Sequence, residues 1–482
     1  MRALATLSRT PEYQDALVEA AAHFLAYIAN SVTDEGAAAA ARTIRILAEV
    51  SFFRPHLFNS GATDVLIAKV QVERFHSIVA ANCLDALAWC CLHEQVRDAV
   101  LQQVGIEPFV AVERDAATLP EVAGACRKLL AAMGYVEHLE RRFLDVSRER
   151  TRPRGLRILA MDGGGTRAMV LMSILSAVEA RTGKRIHQLF DLICGTSTGG
   201  IMAAAFGLRR MSALEVESLF REVVGKVFSS APPVVADPNK SASFFEFRRK
   251  LRKLLTTGGR YDTAMFEYIL QEHFSRMAMI DSAAGEGVPK VAFVATLMSS
   301  KPPKPYILRN YTYPPVAPKR SRYPGTCERR IYECVRATTA ATTLFSEVEF
   351  DGTRLSDGAM VSNNPTAIAL HEAQCIWGRD RPLDCVLSLG TGKGLEAEQE
   401  KGLADLFRIV LYGVTDVERT HEVLEDVLEP DIYYRFNPQS ELVDVALDEV
   451  RLEKLNQMQA ATELYIRDNH ETFERLCSAL LR

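Results

Sequence analysis

The chain has 482 residues, of which 48% are hydrophobic and 24% are charged, with a formal net charge of -4 at pH 7. This composition is ordinary for soluble proteins, and the length predicts two or three domains that each bury a core. The small net charge gives no global electrostatic reason to expect nucleic-acid binding, so attraction to an anionic surface would require a local patch.

The cysteines and the hydropathy of the sequence indicate the cellular compartment in which the protein is expected. The ten cysteines show neither paired zinc-ligand spacing nor the disulfide framework of a secreted protein, which predicts buried thiols in a reducing environment. No apolar run approaches the roughly 20 residues needed to cross a bilayer, and the N-terminus lacks a signal-peptide h-region. We therefore expect a protein of the cytoplasm or an organelle lumen that meets membranes only peripherally.

The first predicted elements, over residues 1–150, are helices. Apolar residues recur at helical spacing in "EYQDALVEAAAHFLAYIAN", "AAAARTIRILAEVSFF", "ANCLDALAWCCLHEQVRDAVLQQV" and "EVAGACRKLLAAMGY". Gly61 and Gly105 each separate two predicted helices and are 44 residues apart (105 - 61). That period fits a solenoid, and the "VGIEPFV" turn resembles armadillo units. An armadillo/HEAT-like domain and an irregular bundle both remain possible, and a protein partner could dock on either.

A boundary is predicted near residue 150, where "ERRFLDVSRERTRPRG" is dense in arginine and ends in proline and glycine. Over residues 155–395 the runs "LRILAMD", "LFDLICG", "KVAFVAT" and "DCVLSLG" predict strands buried on both faces, as in a parallel sheet flanked by helices. Seven prolines between residues 302 and 324 predict a stiff loop rather than regular structure. The charged residues 396–482 are predicted to be helical and to pack against the sheet or the N-terminal helices.

The stretch "DLICGTSTGG" places Ser197 directly after a predicted strand and surrounds it with small residues. A sharp strand-to-helix turn exposes a serine hydroxyl but leaves no room for bulky neighbours, and Gly195 and Gly199 meet that demand. The positive end of the following helix would favour a developing alkoxide. Since glycine-rich turns also bind phosphate or simply pack, this motif alone leaves the catalytic role open.

A second motif, "LRILAMDGGGTRAMVLMSIL", ends a strand at Asp162 and places Gly163, Gly164 and Gly165 before a helix. Such glycines can cradle a phosphate or direct N–H groups at an oxyanion. Ala168 stands where a dinucleotide site has its last glycine, and the acidic ribose partner is not convincing. Beside a serine elbow, the pattern favours the oxyanion hole.

A third motif, "RLSDGAMVSNNPTAIALHEA", places Asp357 in a predicted turn that Gly358 keeps flexible, and Asn364-Pro365 opens another helix. In isolation the Asp-Gly pair would be an ordinary turn. Taken with the other two motifs and with "VRATTAATTLF", the region from Leu156 to Gly392 resembles the patatin-like phospholipase family, and within it the calcium-independent gamma-type enzymes and their plant relatives.

This resemblance implies a three-layer α/β sandwich with a mainly parallel sheet, preceded by the all-α armadillo-like domain. It implies a Ser-Asp dyad in which Ser197 is the nucleophile and Asp357 the base, an oxyanion hole at the three glycines, and support of their loop by Arg167. No metal or other cofactor is expected, and the substrate would be a phospholipid or another glycerolipid. Two departures from the family pattern, Ala168 for glycine and Thr342 for proline, remove no reacting group.

Several alternatives stay open. His187 and His371 are the histidines nearest the motifs, and His371, expected to be partly exposed, follows Asp357 as a triad histidine would. The stretch "SASFFEFRRKLRKLL", residues 241–255, could lie in an anionic lipid interface or bury its apolar stripe. The chain could also be a catalytically weak scaffold, a transacylase, or a triacylglycerol or galactolipid lipase.

Overall fold

The computed structural model describes residues 6–30, 33–135, 154–228, 263–315, 320–341, 345–393 and 417–482. Up to residue 135 the described chain is helical, as predicted. Its α-helices are α1 (Gln14–Asn30), α2 (Asp34–Ala48), α3 (Phe53–Asn59), α4 (Ala62–Val72), α5 (Ile78–Cys90), α6 (Glu94–Gln103), α7 (Glu107–Arg114) and α8 (Pro120–Met133).

The two glycines that suggested a repeat occupy equivalent turns. Gly61 (φ 77°) precedes α4 and Gly105 (φ 72°) precedes α7, in the left-handed region that favours glycine. In both places a helix ends at the glycine turn and two further helices follow. The armadillo-like character and the boundary near residue 150 stay predictions, because residues 136–153 lie outside the described part of the chain.

A nine-stranded sheet follows. Its strands are β1 (Leu156–Met161), β2 (Leu192–Thr196), β3 (Lys290–Leu297), β4 (Lys304–Arg309), β5 (Gly325–Thr326), β6 (Val348–Phe350), β7 (Thr353–Asp357), β8 (Leu383–Leu389) and β9 (Tyr433–Phe436). The order is β5-β4-β3-β2-β1-β8-β9, and the pairs among β3, β2, β1, β8 and β9 are parallel. All four strands predicted from apolar runs are present, as β1, β2, β3 and β8.

Helices cover both faces of this sheet. They are α9 (Ala168–Thr182), α10 (Ile186–Leu189), α11 (Thr198–Ala203), α12 (Ala213–Phe228), α13 (Thr263–His273), α14 (Ile331–Thr338), α15 (Ala359–Ser362), α16 (Thr366–Trp377), α17 (Glu418–Val427), α18 (Leu452–Asp468) and α19 (His470–Leu481). Alternate residues of β1 face opposite layers: Ile158 packs with α16 and the N-terminal helices, and Leu159 with α9, α18 and α19. The α/β sandwich preceded by helices is therefore confirmed.

A partly buried carboxylate joins the N-terminal helices to the sheet domain. Asp281, in the 3-10 turn Ile280–Ala284, accepts hydrogen bonds from Trp89 Nε1 (3.1 Å) and Lys128 Nζ (2.9 Å), and it pairs with Arg45 (3.0 Å). Burial alone would raise the pKa of Asp281, but the charges of Lys128 and Arg45 hold it below its ordinary value. The N-terminal helices are thus fixed to the sheet domain by a charged contact as well as by apolar packing.

Two predictions about regular structure are wrong. The proline-rich stretch contains the strand β4. Its Pro305 pairs with β3 on one side only, because β5 pairs with Ile307 and Leu308 and does not reach this position. Proline is tolerated at such an edge position because its missing N–H breaks no hydrogen bond. Residues 396–482 are not all helical, because β9 pairs in parallel with β8 and extends the sheet. Thr342 and residues 241–255, which carried two further predictions, lie outside the described residues.

Candidate active site

Sheet topology brings Ser197 and Asp357 together. The parallel strand β2 ends with Thr196 beside Val294 of β3, and the antiparallel strand β7 ends with Asp357 beside Ala295 of the same strand. The carboxyl ends of β2 and β7 therefore meet at one point along β3. There Ser197 Oγ donates a hydrogen bond of 2.6 Å to Asp357 Oδ2, although the two residues are 160 positions apart in the sequence.

Ser197 occupies a strained turn between β2 and α11. Its φ of 54° and ψ of -122° are unusual for a residue with a side chain, and strain of this kind is common at functional sites. A Cβ at Gly195 would overlap the Gly199 carbonyl, and a Cβ at Gly199 would overlap the Met161 carbonyl. Both glycines are thus required by close backbone contacts, which is the reason the sequence motif suggested.

Asp357 is almost completely buried, with 3% of its surface exposed. Burial raises its pKa to about 6, while the hydrogen bonds from Ser197 Oγ and from Ala359 N (2.8 Å) lower it. Asp357 is the last residue of β7 and does not lie in the flexible turn that the sequence predicted. Gly358 has an ordinary φ of -63°, and it is needed because a Cβ there would overlap the Val294 carbonyl.

The glycine loop runs beside the serine. A Cβ at Gly163 would lie 2.9 Å from Ser197 Cβ. Gly163 N donates to the Asn363 carbonyl (3.3 Å) and Gly164 N to Thr198 Oγ1 (3.1 Å). Among the described residues, none accepts a hydrogen bond from Gly165 N. The oxyanion role of these glycines stays a prediction, and two of their three N–H groups already have an intramolecular acceptor.

Arg167 holds this loop from outside. Its Nε donates to the Val445 carbonyl (2.8 Å), and its guanidinium pairs with Asp444 (3.0 Å). Ala168 begins α9 with a φ of -57°, so a side chain is tolerated where the family pattern has glycine. The predicted support of the glycine loop therefore takes the form of a tether to the C-terminal part of the chain.

The motifs did not indicate Thr338 or Asn363, which complete the site. Thr338 Oγ1 accepts the Ser197 N–H (2.9 Å) and donates to the Val294 carbonyl (2.5 Å). Asn363 Nδ2 donates to the Gly163 carbonyl (3.3 Å). Both lie in stretches quoted for the family resemblance, but only the fold brings these side chains to the serine.

The histidines have other partners. His371 is buried rather than partly exposed, because α16 packs on the sheet, and its Nε2 accepts the Arg322 N–H at 3.1 Å. His187 lies in the short helix α10 and is half-buried. Among the described residues, the hydrogen bonds of the Asp357 carboxylate come from Ser197 and Ala359, so no histidine lies between the Ser197 and Asp357 side chains.

No group of three or more His, Cys, Asp or Glu side chains among the described residues could hold a metal ion. No helix in the same part of the chain is both long and apolar enough to span a bilayer.

Comparison with known proteins identifies the class of this fold and site. The family model described as "Patatin-like phospholipase" matches residues 159–370, a region that contains Ser197, Asp357 and the glycine loop. The chain belongs to the patatin-like phospholipase family of hydrolases.

The relatives are phospholipases. Calcium-independent phospholipase A2-gamma of Oryctolagus cuniculus is 35% identical over 362 residues, covering 74% of this chain and 42% of its own. Phospholipase A I of Arabidopsis thaliana is 33% identical over 403 residues, covering 75% of this chain and 30% of its own. The 85/88 kDa calcium-independent phospholipase A2 of Rattus norvegicus is 27% identical over 364 residues, covering 67% and 40%. The chain thus spans less than half the length of these relatives.

Proposed function

We propose that this chain is a calcium-independent lipid acyl hydrolase of the phospholipase A type that acts through a Ser-Asp dyad. The observation that carries the proposal is the hydrogen bond of 2.6 Å between Ser197 Oγ and the buried Asp357 carboxylate. Calcium independence is carried over from the names of the relatives.

In the proposed first step, Ser197 Oγ attacks the ester carbonyl while Asp357 Oδ2 takes the hydroxyl proton. An aspartate of ordinary pKa is a poor base for a serine hydroxyl, so the raised pKa of about 6 supports this role. Collapse of the tetrahedral intermediate breaks the bond to the lyso-lipid oxygen, which leaves with the proton from Asp357. Water then attacks the acyl-enzyme with the same carboxylate as base and releases the fatty acid.

The oxyanion requires donors in this scheme. Gly165 N has no acceptor among the described residues, and Gly164 N donates to a hydroxyl that a substrate oxygen can replace. We propose that the oxyanion binds Gly165 N and displaces Thr198 Oγ1 from Gly164 N. Gly163 N, which donates to the Asn363 carbonyl, then serves to place the loop rather than to bind the oxyanion.

The test is a product assay on purified protein with phosphatidylcholine vesicles and a calcium chelator, comparing the wild type with Ser197→Ala. We expect fatty acid and lyso-lipid from the wild type only. Equal release by both proteins would refute the nucleophile, and no release by either would favour the scaffold alternative. Acylated acceptor lipid without free fatty acid would identify a transacylase, and parallel incubations with triacylglycerol and galactolipid would identify the other substrate classes.

A further inference from the structure

Beyond the chemistry, a segment of the C-terminal region carries an unusual number of exposed apolar side chains. Within the 11 residues from Leu442 to Leu452, the exposed fractions are 45% for Leu442, 48% for Leu447, 38% for Val450 and 60% for Leu452. Isolated exposed leucines are normal on a protein surface, but four exposed apolar side chains within one short segment make that segment a candidate interaction site. We call residues 440–452 the docking segment.

The docking segment is fixed beside the nucleophile. Its Leu447 carbonyl accepts the Thr166 N–H (2.9 Å), and its Ala446 carbonyl accepts from Thr166 Oγ1 (3.2 Å). A Cβ at Gly165 would lie 2.9 Å from Leu447 Cβ, and one at Gly163 equally close to Ser197 Cβ. Since one residue separates those glycines, Leu447 Cβ lies within about 15 Å of Ser197 Cβ.

The turn that presents these side chains is internally braced. The Glu449 carboxylate accepts the backbone N–H groups of Val450 (3.1 Å) and Arg451 (2.9 Å), and it pairs with the Arg451 guanidinium (2.6 Å). Val443 is fully buried against the body of the protein. The exposed side chains therefore project from an anchored turn, as a surface that docks on another body requires.

Charge indicates which surface fits. Residues 440–452 contain the carboxylates of Glu441, Asp444, Asp448 and Glu449 against one base, Arg451, and Arg167 of the glycine loop pairs with Asp444, so two acidic groups remain in excess. An excess of acidic groups would be repelled by an anionic lipid surface, whereas apolar side chains enter the interface of a neutral one. The proposed substrate is itself a component of a phospholipid surface, so the residues around Ser197 must approach that surface.

We propose that the docking segment inserts its apolar side chains into a zwitterionic phospholipid surface and so holds the Ser197 site against its substrate. This inference rests on the proposed lipid hydrolase function. It assigns membrane contact to an acidic and apolar segment, not to the basic stretch at residues 241–255.

The test separates docking from chemistry. Leu442, Val450 and Leu452 are replaced together by serine, Leu447 is kept because it contacts the glycine loop, and Leu214→Ser serves as the control. Leu214 is 75% exposed and lies away from the glycine loop. Its neighbour Ala213 donates its N–H to Glu179, which is near the C-terminal end of α9, whereas the glycine loop precedes the N-terminal end of that helix. Binding is measured by co-sedimentation with phosphatidylcholine vesicles in a Ser197→Ala background, so that no lipid is consumed. Hydrolysis is measured on vesicles and on monomeric p-nitrophenyl butyrate.

We expect the triple variant to lose about tenfold or more in vesicle binding and in vesicle hydrolysis, with p-nitrophenyl butyrate hydrolysis within about twofold of wild type. Leu214→Ser should match the wild type in all three. Unchanged binding of the triple variant, no binding by the parent protein, or binding that requires phosphatidylserine would each overturn the inference. If the parent binds through this segment but hydrolyses neither substrate, the proposed function fails while the docking surface stands.

Discussion

The raised pKa of Asp357 leads to a quantitative prediction of how hydrolysis depends on pH. As the proposed base, this carboxylate must be ionised in the free enzyme, and burial raises its pKa to about 6. Lowering the pH from 7 to 5 would then reduce the ionised fraction from about 91% to about 9%, and kcat/KM would fall by roughly tenfold. With an ordinary pKa the ionised fraction at pH 5 would still exceed about 90%, and the rate would hardly change.

The assay is kcat/KM for p-nitrophenyl butyrate, a monomeric ester that avoids pH effects on vesicles. Asp162 is the control, because burial also raises its pKa to about 6, and it lies beside the glycine loop in a pair with Arg435 (2.7 Å). Asp162→Asn should keep the acid limb near pH 6, and Asp357→Asn should abolish hydrolysis. A flat profile of the wild type between pH 5 and 7, or a limb that disappears in Asp162→Asn, would refute the assignment of the base.

The same shift has a consequence for stability. Because the folded-state pKa of Asp357 is raised, protonation of this group stabilises the fold below pH 4, and that stabilisation is lost as the pH rises through about 6. At pH 7 the buried carboxylate therefore costs up to about 3 kcal/mol. Asp357→Asn should raise the free energy of unfolding at pH 7 by a part of that amount, since the amide offers one acceptor oxygen instead of two. Urea unfolding at pH 7 checks the sign.

Three further predictions concern residues around the site. Thr338→Val should remove the partners of the Ser197 N–H and the Val294 carbonyl, costing about 1–3 kcal/mol for each unpaired group and lowering kcat; Thr338→Ser should restore both stability and kcat, and a serine variant as impaired as valine would contradict the hydroxyl's role. Asp281→Ala should lower the free energy of unfolding by about 1–3 kcal/mol, measured in urea, because Trp89 Nε1 loses its acceptor and Lys128 keeps only its ion pair with Asp85; an unchanged free energy of unfolding would show that apolar packing alone joins the two regions. His371→Ala should lose less activity on p-nitrophenyl butyrate than the roughly hundredfold that removal of a general base costs, and a loss as deep as that of Ser197→Ala would restore the triad.

The sequence alone predicted those features that depend only on neighbouring residues. The continuous apolar runs predicted β1, β2, β3 and β8, because strands buried on both faces cannot alternate with polar residues. The crowding of small residues around Ser197 predicted a sharp turn, and the overlap that any Cβ would produce at Gly195 and Gly199 is the physical origin of that pattern.

The rest depended on distant parts of the chain. β9 was missed because a four-residue strand between charged helices has no periodicity of its own and exists through its pairing with β8. Asp357 was expected in a flexible turn because an Asp-Gly pair usually forms one, but pairing with β3 converts those residues into the end of a strand. The role of Thr338 could not be read from its neighbours in the sequence, since its two partners are Ser197, which follows β2, and Val294 of β3.

The C-terminal part of the chain belongs to the site as much as the serine motif does. β9 brings Arg435 against Asp162 at the start of the glycine loop, and Val445 and Leu447 accept hydrogen bonds from Arg167 and Thr166 in that loop. A loop of three glycines has little conformational preference of its own, so its geometry must be fixed from outside. The C-terminal segment fixes it through the backbone carbonyls of Val445 and Leu447, which substitution of the neighbouring exposed side chains leaves in place.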